Sequence, residues 1–422
     1  MLVEILATGD EVLTGALVDT NTAWLAERLE AVGVNVIRHH TVGDRLEVLA
    51  AVFREVGGRA EAALVTGGLG PTVDDLCTEA AASAAGVSLE LIPEALASVR
   101  AYFESRGREM PPSNEKQARL PQGAEVLDNP VGTAPGFALT IGNCRFFFIP
   151  GVPHEMRRMF REQVRPRLVA LLGDHRPVHH TRTVTSFGLP ESTVGERMEG
   201  FDVAFPGMRL GLRAAFPEIH VKLYAADYDE GALQGRLDAA ARWVAEQLGH
   251  RVLSLEGLSL EAALGDLLRN RGETLAVAES CTGGLIADRI TDVAGSSDYF
   301  LLSAVTYANA AKVRLLGVRE ETLHSHGAVS EETVREMAAG AREAAGATYG
   351  IATSGIAGPE GGTADKPVGT VCIGLATPEE VLSRRYVFQF PRRRMNKQIF
   401  AAAALDLLRR HILQVNGGLP FE

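Results

Sequence analysis

Apolar residues open the chain from Leu2 to Ala7, broken only by Glu4, and the run stops at Thr8-Gly9-Asp10. From Asn21 to Ala31 the period changes, with Trp24, Leu25, Leu29 and Val32 falling on one helical face. This reads as strand, loop, helix. The pattern repeats, with Val34 to His39 as a strand, Leu46 to Val56 as a helix, and Ala62 to Thr66 as a strand running into a glycine loop. Cys144 to Pro150 predicts another strand, and His154 to Leu172 a helix that closes the first domain at about residues 1–174. Alternating β and α segments predict a mostly parallel sheet covered by helices, with ligand loops beyond the carboxyl ends of the strands.

Residues 175–252 have a different texture. His179 to Ser186 and Ile219 to Ala226 alternate like half-exposed strands, Glu191 to Glu199 reads as a short helix, and Glu230 to Leu248 is amphipathic. The expectation is a small α+β module with a connecting or dimerising role. A second α/β unit follows over 253–422. Leu260 to Arg271 is helical, Thr274 to Ala278 is a strand, and Glu279 to Gly284 is a tight turn into a helix over Leu285 to Val293. Gly350 to Thr353 and Val368 to Ala376 read as strands flanking a Gly-rich loop, and Met395 to Gln414 as a closing helix. The fold class expected is α/β, two such domains joined by the small module.

Composition narrows the function classes. Of 422 residues, 46% are hydrophobic and 23% charged, as in ordinary globular proteins. A net charge of -11 disfavours non-specific nucleic-acid binding, which needs a basic face. No stretch of about 18 apolar residues predicts a membrane span, and the first residues lack a cationic leader, so a cytoplasmic location is expected. The four cysteines, Cys77, Cys144, Cys281 and Cys372, lack metal-ligand or disulfide spacing. Only five of the 42 basic residues are lysines, namely Lys116, Lys222, Lys312, Lys366 and Lys397. Lysine, unlike arginine, can be desolvated into a base, so lysines near glycine loops draw attention.

Ser280 is delivered by a buried strand into a turn, where its side chain stands above the sheet. The amides of Cys281, Thr282, Gly283 and Gly284 read as helix-start donors for a phosphate or an oxyanion. Ser is also a preferred helix cap, and both readings stand at this point. No histidine lies near the motif, so Lys312, about one helical turn beyond Tyr307, is the candidate base for a Ser-Lys pair. The loop from Ser354 to Thr370 includes Gly355 and Gly358 and permits close backbone approach to an anion, without the spacing of an ATP-binding Gly-rich motif.

In the first domain, Thr8-Gly9-Asp10 and the loop holding Gly67, Gly68, Gly70, Thr72, Asp74 and Asp75 both follow predicted strands and converge on one edge. Asp74 and Asp75 are candidate ligands of a divalent metal bridging a pyrophosphate, or else helix-start acids. Lys116 and the 129–136 loop with Gly132 and Thr133 add a cation and backbone donors, and Pro150-Gly151 ends a further strand.

Together these motifs resemble the competence/damage-inducible CinA family over the whole chain. The first domain resembles the MoaB/MogA-type molybdopterin-binding fold, the middle module the family's KH-like linker, and the last part its nicotinamide mononucleotide (NMN) deamidase domain. The resemblance implies hydrolysis of ADP-ribose to AMP and ribose 5-phosphate at the first site, with Mg²⁺, Mn²⁺ or Co²⁺, and cofactor-free deamidation of NMN at the last. It implies Ser280 as nucleophile, Lys312 as base, Tyr307 and Ser297 as supporting groups, and a homodimer. The family's Gly-Asp-Arg stretch is replaced by Arg392-Arg393-Arg394, where counting from Phe390 favours Arg394. Cys77 stands where the family commonly has Thr. The other reading, carried by the family's name and fold, is a binder of a pterin-type cofactor or a regulator of DNA uptake.

Overall fold

The computed structural model describes residues 1–173 and 177–415, in two units. One comprises Met1–His180 and Ala226–Leu233, and the other Thr181–Ala225 and Gln234–Glu422. No helix among the described residues is long and apolar enough to cross a membrane.

The first unit is built on eight strands: β1 (Leu2–Thr8), β2 (Asn35–Val42), β3 (Ala62–Thr66), β4 (Leu89–Leu91), β5 (Arg119–Pro121), β6 (Glu125–Leu127), β7 (Gly136–Ile141) and β8 (Cys144–Ile149). Six of them form one sheet in the order β2-β1-β3-β8-β7-β6, while β4 and β5 make a separate ribbon. The β2-β1-β3-β8 pairs are parallel, and β8-β7-β6 finish the edge antiparallel. Both faces are covered, which explains the unbroken apolar runs. Ala63, Val65, Phe146 and Phe148 face one core, and Ala62, Leu64, Phe147 and Ile149 face the other. The parallel strands all end at one edge, so the loops after β1, β3 and β8 converge there.

The second unit holds most of a four-stranded sheet, in the order β10-β11-β9-β12, from β9 (Val178–Phe187), β10 (Arg209–Ala215), β11 (Glu218–Asp227) and β12 (Val252–Ser254). Within that unit β10 and β11 form an antiparallel hairpin. Its larger sheet runs β14-β13-β15-β16-β17, from β13 (Leu275–Glu279), β14 (Phe300–Val305), β15 (Tyr349–Gly355), β16 (Thr370–Ala376) and β17 (Val381–Val387). Here β14-β13-β15 are parallel and β16 and β17 antiparallel, so this sheet is less uniformly parallel than the alternation of elements predicts.

Four helices matter for the site: α1 (Leu285–Thr291), α2 (Asn309–Leu316), α3 (Glu331–Ala345) and α4 (Arg393–Ile412). Met337 and Ala338 of α3 pack on Ala276 and Ala278, while α4 lays Ala401 to Ala404, all buried, on the opposite face beside Val277 and Ile351. Alanines there let α4 approach the sheet closely. This fixes its first turn beside the loops at the ends of β13 and β15.

Candidate active sites

Strand β13 ends at Glu279, and Ser280 is the first residue beyond it, held by its N–H to the Thr353 carbonyl at 3.0 Å. The chain then turns through Gly283 (φ +60°) and Gly284 (φ +91°), left-handed conformations that glycine adopts without strain, before α1 begins at Leu285. Thr282 bonds Thr353 hydroxyl to hydroxyl at 2.8 Å, tying the turn to β15. Ser280 is not the cap residue of α1; that position is Gly284.

Lys312 on α2 is fully buried, and its Nζ lies 3.1 Å from Ser280 Oγ. It donates to the Thr306 carbonyl at 2.7 Å and to the Tyr307 carbonyl at 3.4 Å. No carboxylate pairs with it among the described residues. Burial alone therefore pulls its pKa below the ordinary lysine value of 10.5. With two protons on these carbonyls, a deprotonated Lys312 would turn its lone pair toward the serine hydroxyl. The neighbouring Cys281 is buried and its thiol is pushed up to about 12 by desolvation, which leaves serine as the nucleophile of the turn.

The expected oxyanion donors change in detail. Glu279 is wholly buried and turns back under the turn, accepting from the amides of Gly284 (3.0 Å), Ile286 (3.1 Å) and Ala287 (3.0 Å). The Gly283 amide donates to the Ser280 carbonyl. Among the described residues the Thr282 amide has no acceptor, while the Cys281 amide turns to its own thiol sulfur, a weak acceptor that a developing oxyanion would displace. The sequence signal for Glu279 was a lone acid ending an apolar strand just before a glycine turn.

Three further expectations meet the geometry differently. Tyr307 is exposed, and its hydroxyl accepts from Arg393 Nη2 at 3.2 Å; Arg393 Nη1 also donates to the Gly358 carbonyl at 2.6 Å. Arg393 rather than Arg394 thus reaches the site. The reason is helical register: α4 begins at Arg393, which shares a face with Asn396 and Lys397, while Arg394 points about 100° away. Asn396, buried on that face, donates to the Ala357 and Phe390 carbonyls and anchors the Gly355–Gly358 segment. Ser297 lies exposed in the turn before β14. Since β13 and β14 run parallel, with Leu275 opposite Phe300 and Glu279 opposite Val305, Ser297 sits at the far end of the strands, roughly 17 Å from Ser280 at ~3.3 Å per residue. Within one chain it does not support the serine.

In the first unit the converging loops enclose a cavity of about 800 Å³, lined among others by Thr8, Gly9, Asp10, Asp44, Gly67, Gly68, Gly70, Thr72, Asp74, Asp75, Thr133, Pro150 and Gly151. A Cβ on Gly67 would strike the Thr8 carbonyl at 2.6 Å, so the strand-end loops close together only because that residue is glycine. Lys116, expected to reach the ligand, instead donates to the carbonyls of Thr72 (2.8 Å) and Asp75 (2.6 Å) and pairs with Glu79, bracing the loop from behind. Gly132 lies under the Asn129 side chain, to which its amide donates. Cys77 is buried and donates its S–H to Thr8 Oγ1 at 3.3 Å; its thiol, pushed up to about 12 by burial, does not line the cavity.

Asp74 and Asp75 do not act as a pair. Asp74 is exposed, and Asp75 Oδ2 accepts from the Thr72 amide (2.9 Å) and hydroxyl (2.6 Å). The acid that sequence reasoning missed is Asp44, locked to Asp10 by reciprocal amide-to-carboxylate bonds of 3.0 and 3.1 Å. Burial, and the facing charges of Asp10, Glu11 and Asp75, push its carboxyl upward, partly offset by the Asp10 amide. Among the described residues no three acid, His or Cys side chains converge into a metal cage. One or two of these oxygen donors suit Mg²⁺ or a similar hard ion that keeps waters or phosphate oxygens as its other ligands.

Residues 4–170 match the model of a probable molybdopterin binding domain, and residues 258–412 that of the CinA C-terminal domain. A CinA-like protein of Desulfosudis oleivorans is 56% identical over 98% of this chain and 100% of its own length, and one of Geobacter metallireducens is 46% identical over the same shares. A competence/damage inducible protein from Agrobacterium tumefaciens, of known crystal structure, is 37% identical over 37% of this chain and 98% of its own, with a TM-score of 0.35. On whole-length identity, the chain belongs to the family of CinA-like proteins.

Proposed function

We propose that the second unit is an amide hydrolase acting on nicotinamide mononucleotide. The observation that carries this is the Lys312 amine 3.1 Å from Ser280 Oγ, buried, with its protons held by two carbonyls. In the reaction, Ser280 Oγ attacks the amide carbon of the nicotinamide group while its proton passes to Lys312 Nζ. The oxyanion that forms is met by the Cys281 and Thr282 amides. Collapse breaks the C–N bond, Lys312 returns the proton to the leaving nitrogen, and ammonia departs. Water, deprotonated by Lys312, then attacks the nicotinoyl ester, releasing nicotinate mononucleotide and restoring Ser280. Arg393 and Tyr307 close the rim around the nucleotide.

The test is ammonia release from NMN by the purified protein beside Ser280→Ala and Lys312→Ala. Release by the wild type and its loss in both variants supports the reading. Equal release by Ser280→Ala refutes it.

For the first unit the reading is hydrolysis of ADP-ribose, supported by a glycine-lined cavity of nucleotide size with Asp10, Asp44 and Asp75 on its wall. A divalent ion would supply Lewis-acid charge for the pyrophosphate, held by Asp44 and Asp75. The matched family description favours a second reading, a pterin-type ligand in the same cavity without turnover. AMP production from ADP-ribose separates the two, and its persistence in Asp44→Asn would refute the metal assignment. We extend the proposal to a cytoplasmic homodimer, to be checked by the mass of the protein in solution.

A further inference from the structure

The amide chemistry leaves open what holds the phosphate end of the substrate, and the charges around Ser280 limit the choice. The start of α1 is the obvious anion site by sequence, but its amides already serve the Glu279 carboxylate. A second anion placed there would face Glu279 across a few ångströms of buried protein. Lys312 is spent on the turn itself, its Nζ within hydrogen-bond distance of Ser280 Oγ and of the Thr306 and Tyr307 carbonyls.

One cation beside the turn is uncommitted. Lys397 sits on the α4 face that also carries Arg393 and Asn396. Its Nζ lies 3.4 Å from where a Cβ would stand on Gly283, which places the ammonium directly over the Ser280 turn. It is half-buried, yet no carboxylate lies within ion-pair distance among the described residues. Arg393, one turn earlier, is occupied by Gly358 and Tyr307. A half-buried ammonium without a counterion, in a chain of net charge -11, is a standing cost that an anionic ligand would relieve.

We infer that Lys397 binds the phosphate monoester of the substrate and sets the preference for a ribonucleotide over the corresponding ribonucleoside. The inference rests on the deamidase reading above for the identity of the substrate. The same phosphate recognised without its nucleoside would make inorganic phosphate a weak competitor.

The experiment compares kcat/KM for ammonia release from NMN and from nicotinamide riboside in the full-length wild type, Lys397→Ala and Lys397→Arg. The wild type prefers NMN. In Lys397→Ala that preference falls by roughly ten- to a hundredfold through KM, as expected for loss of one charge-assisted contact, and Lys397→Arg restores part of it. A preference unchanged in Lys397→Ala, or equal losses on both substrates, overturns the assignment. If the wild type releases ammonia from neither compound, the deamidase reading fails and calorimetric titration with inorganic phosphate decides for Lys397. Loss of a binding event in Lys397→Ala then upholds the anion site, and identical isotherms overturn it.

Discussion

Removing the Glu279 side chain tests whether that carboxylate builds the nucleophile turn. It accepts three backbone amides at 3.0 to 3.1 Å from a fully buried position. Hydrogen bonds to a charged acceptor contribute about 1.5 to 3 kcal/mol each, so three sum to an upper figure near 4.5 to 9 kcal/mol. Two of the donors, Gly284 and Ala287, are only partly buried, and water entering the vacated space recovers some of this. Glu279→Ala is therefore expected to lose about 3 to 5 kcal/mol, the range for leaving buried groups without their charged partner. Glu279→Gln keeps one acceptor oxygen and turns an NH₂ toward a backbone donor, for a loss of about 1 to 3 kcal/mol. Urea unfolding followed by circular dichroism reads both, and ammonia release should fall in the same order. A Glu279→Ala protein within about 1 kcal/mol of wild type, with its activity intact, would refute the reasoning.

Three further outcomes are expected. Deamidation should rise with pH to a plateau through a midpoint below 10.5, because the folded pKa of Lys312 is lowered. By linkage the unfolded chain binds that proton more tightly, so stability gains as pH climbs from the folded pKa toward 10.5; Lys312→Met, matched in volume, should flatten that gain in unfolding titrations while abolishing ammonia release. Arg393→Ala should raise the KM for NMN at least tenfold, and Arg394→Ala less than twofold, in steady-state assays, since only Arg393 touches Tyr307 and Gly358. In the first unit, Asp44→Asn should reduce ADP-ribose turnover by about a hundredfold or more and Asp74→Ala by only a few fold, measured as AMP formed with and without a chelator.

Periodicity made much of this fold legible. Leu260–Arg271 and Glu230–Leu248 begin and end where the apolar spacing places them, and the buried parallel strands stand out as apolar runs. Strands β7 and β17 were not read. The first is a short apolar piece flanked by glycines, and the second carries Arg384 and Arg385 on a half-exposed edge. The Ser280 and Lys312 pair was legible because a strand-to-turn serine and a scarce lysine one helical turn past the neighbouring strand are both local patterns. Arg393 was not, because three successive arginines differ only in the rotation of the helix start. Lys116 was expected to face the ligand and braces the loop from behind, and Asp44 was not singled out at all, for a related reason: sequence shows that a cation and acids lie near a loop, but not which side of it each one meets. Ser297 fell at the wrong end of its strand, a matter of parallel direction that residue type does not reveal.

The Glu279 carboxylate also fixes when the nucleophile is ready. A helix start that waited for the substrate's own anion would take shape only on binding, and each turnover would include an ordering step. Here the chain carries its own anion, one peptide before the serine, so the backbone around Ser280 is built without any ligand. Under the deamidase reading, substrate would meet a finished surface, and its capture would be governed by encounter and by the rim residues Arg393 and Tyr307 rather than by folding of the turn.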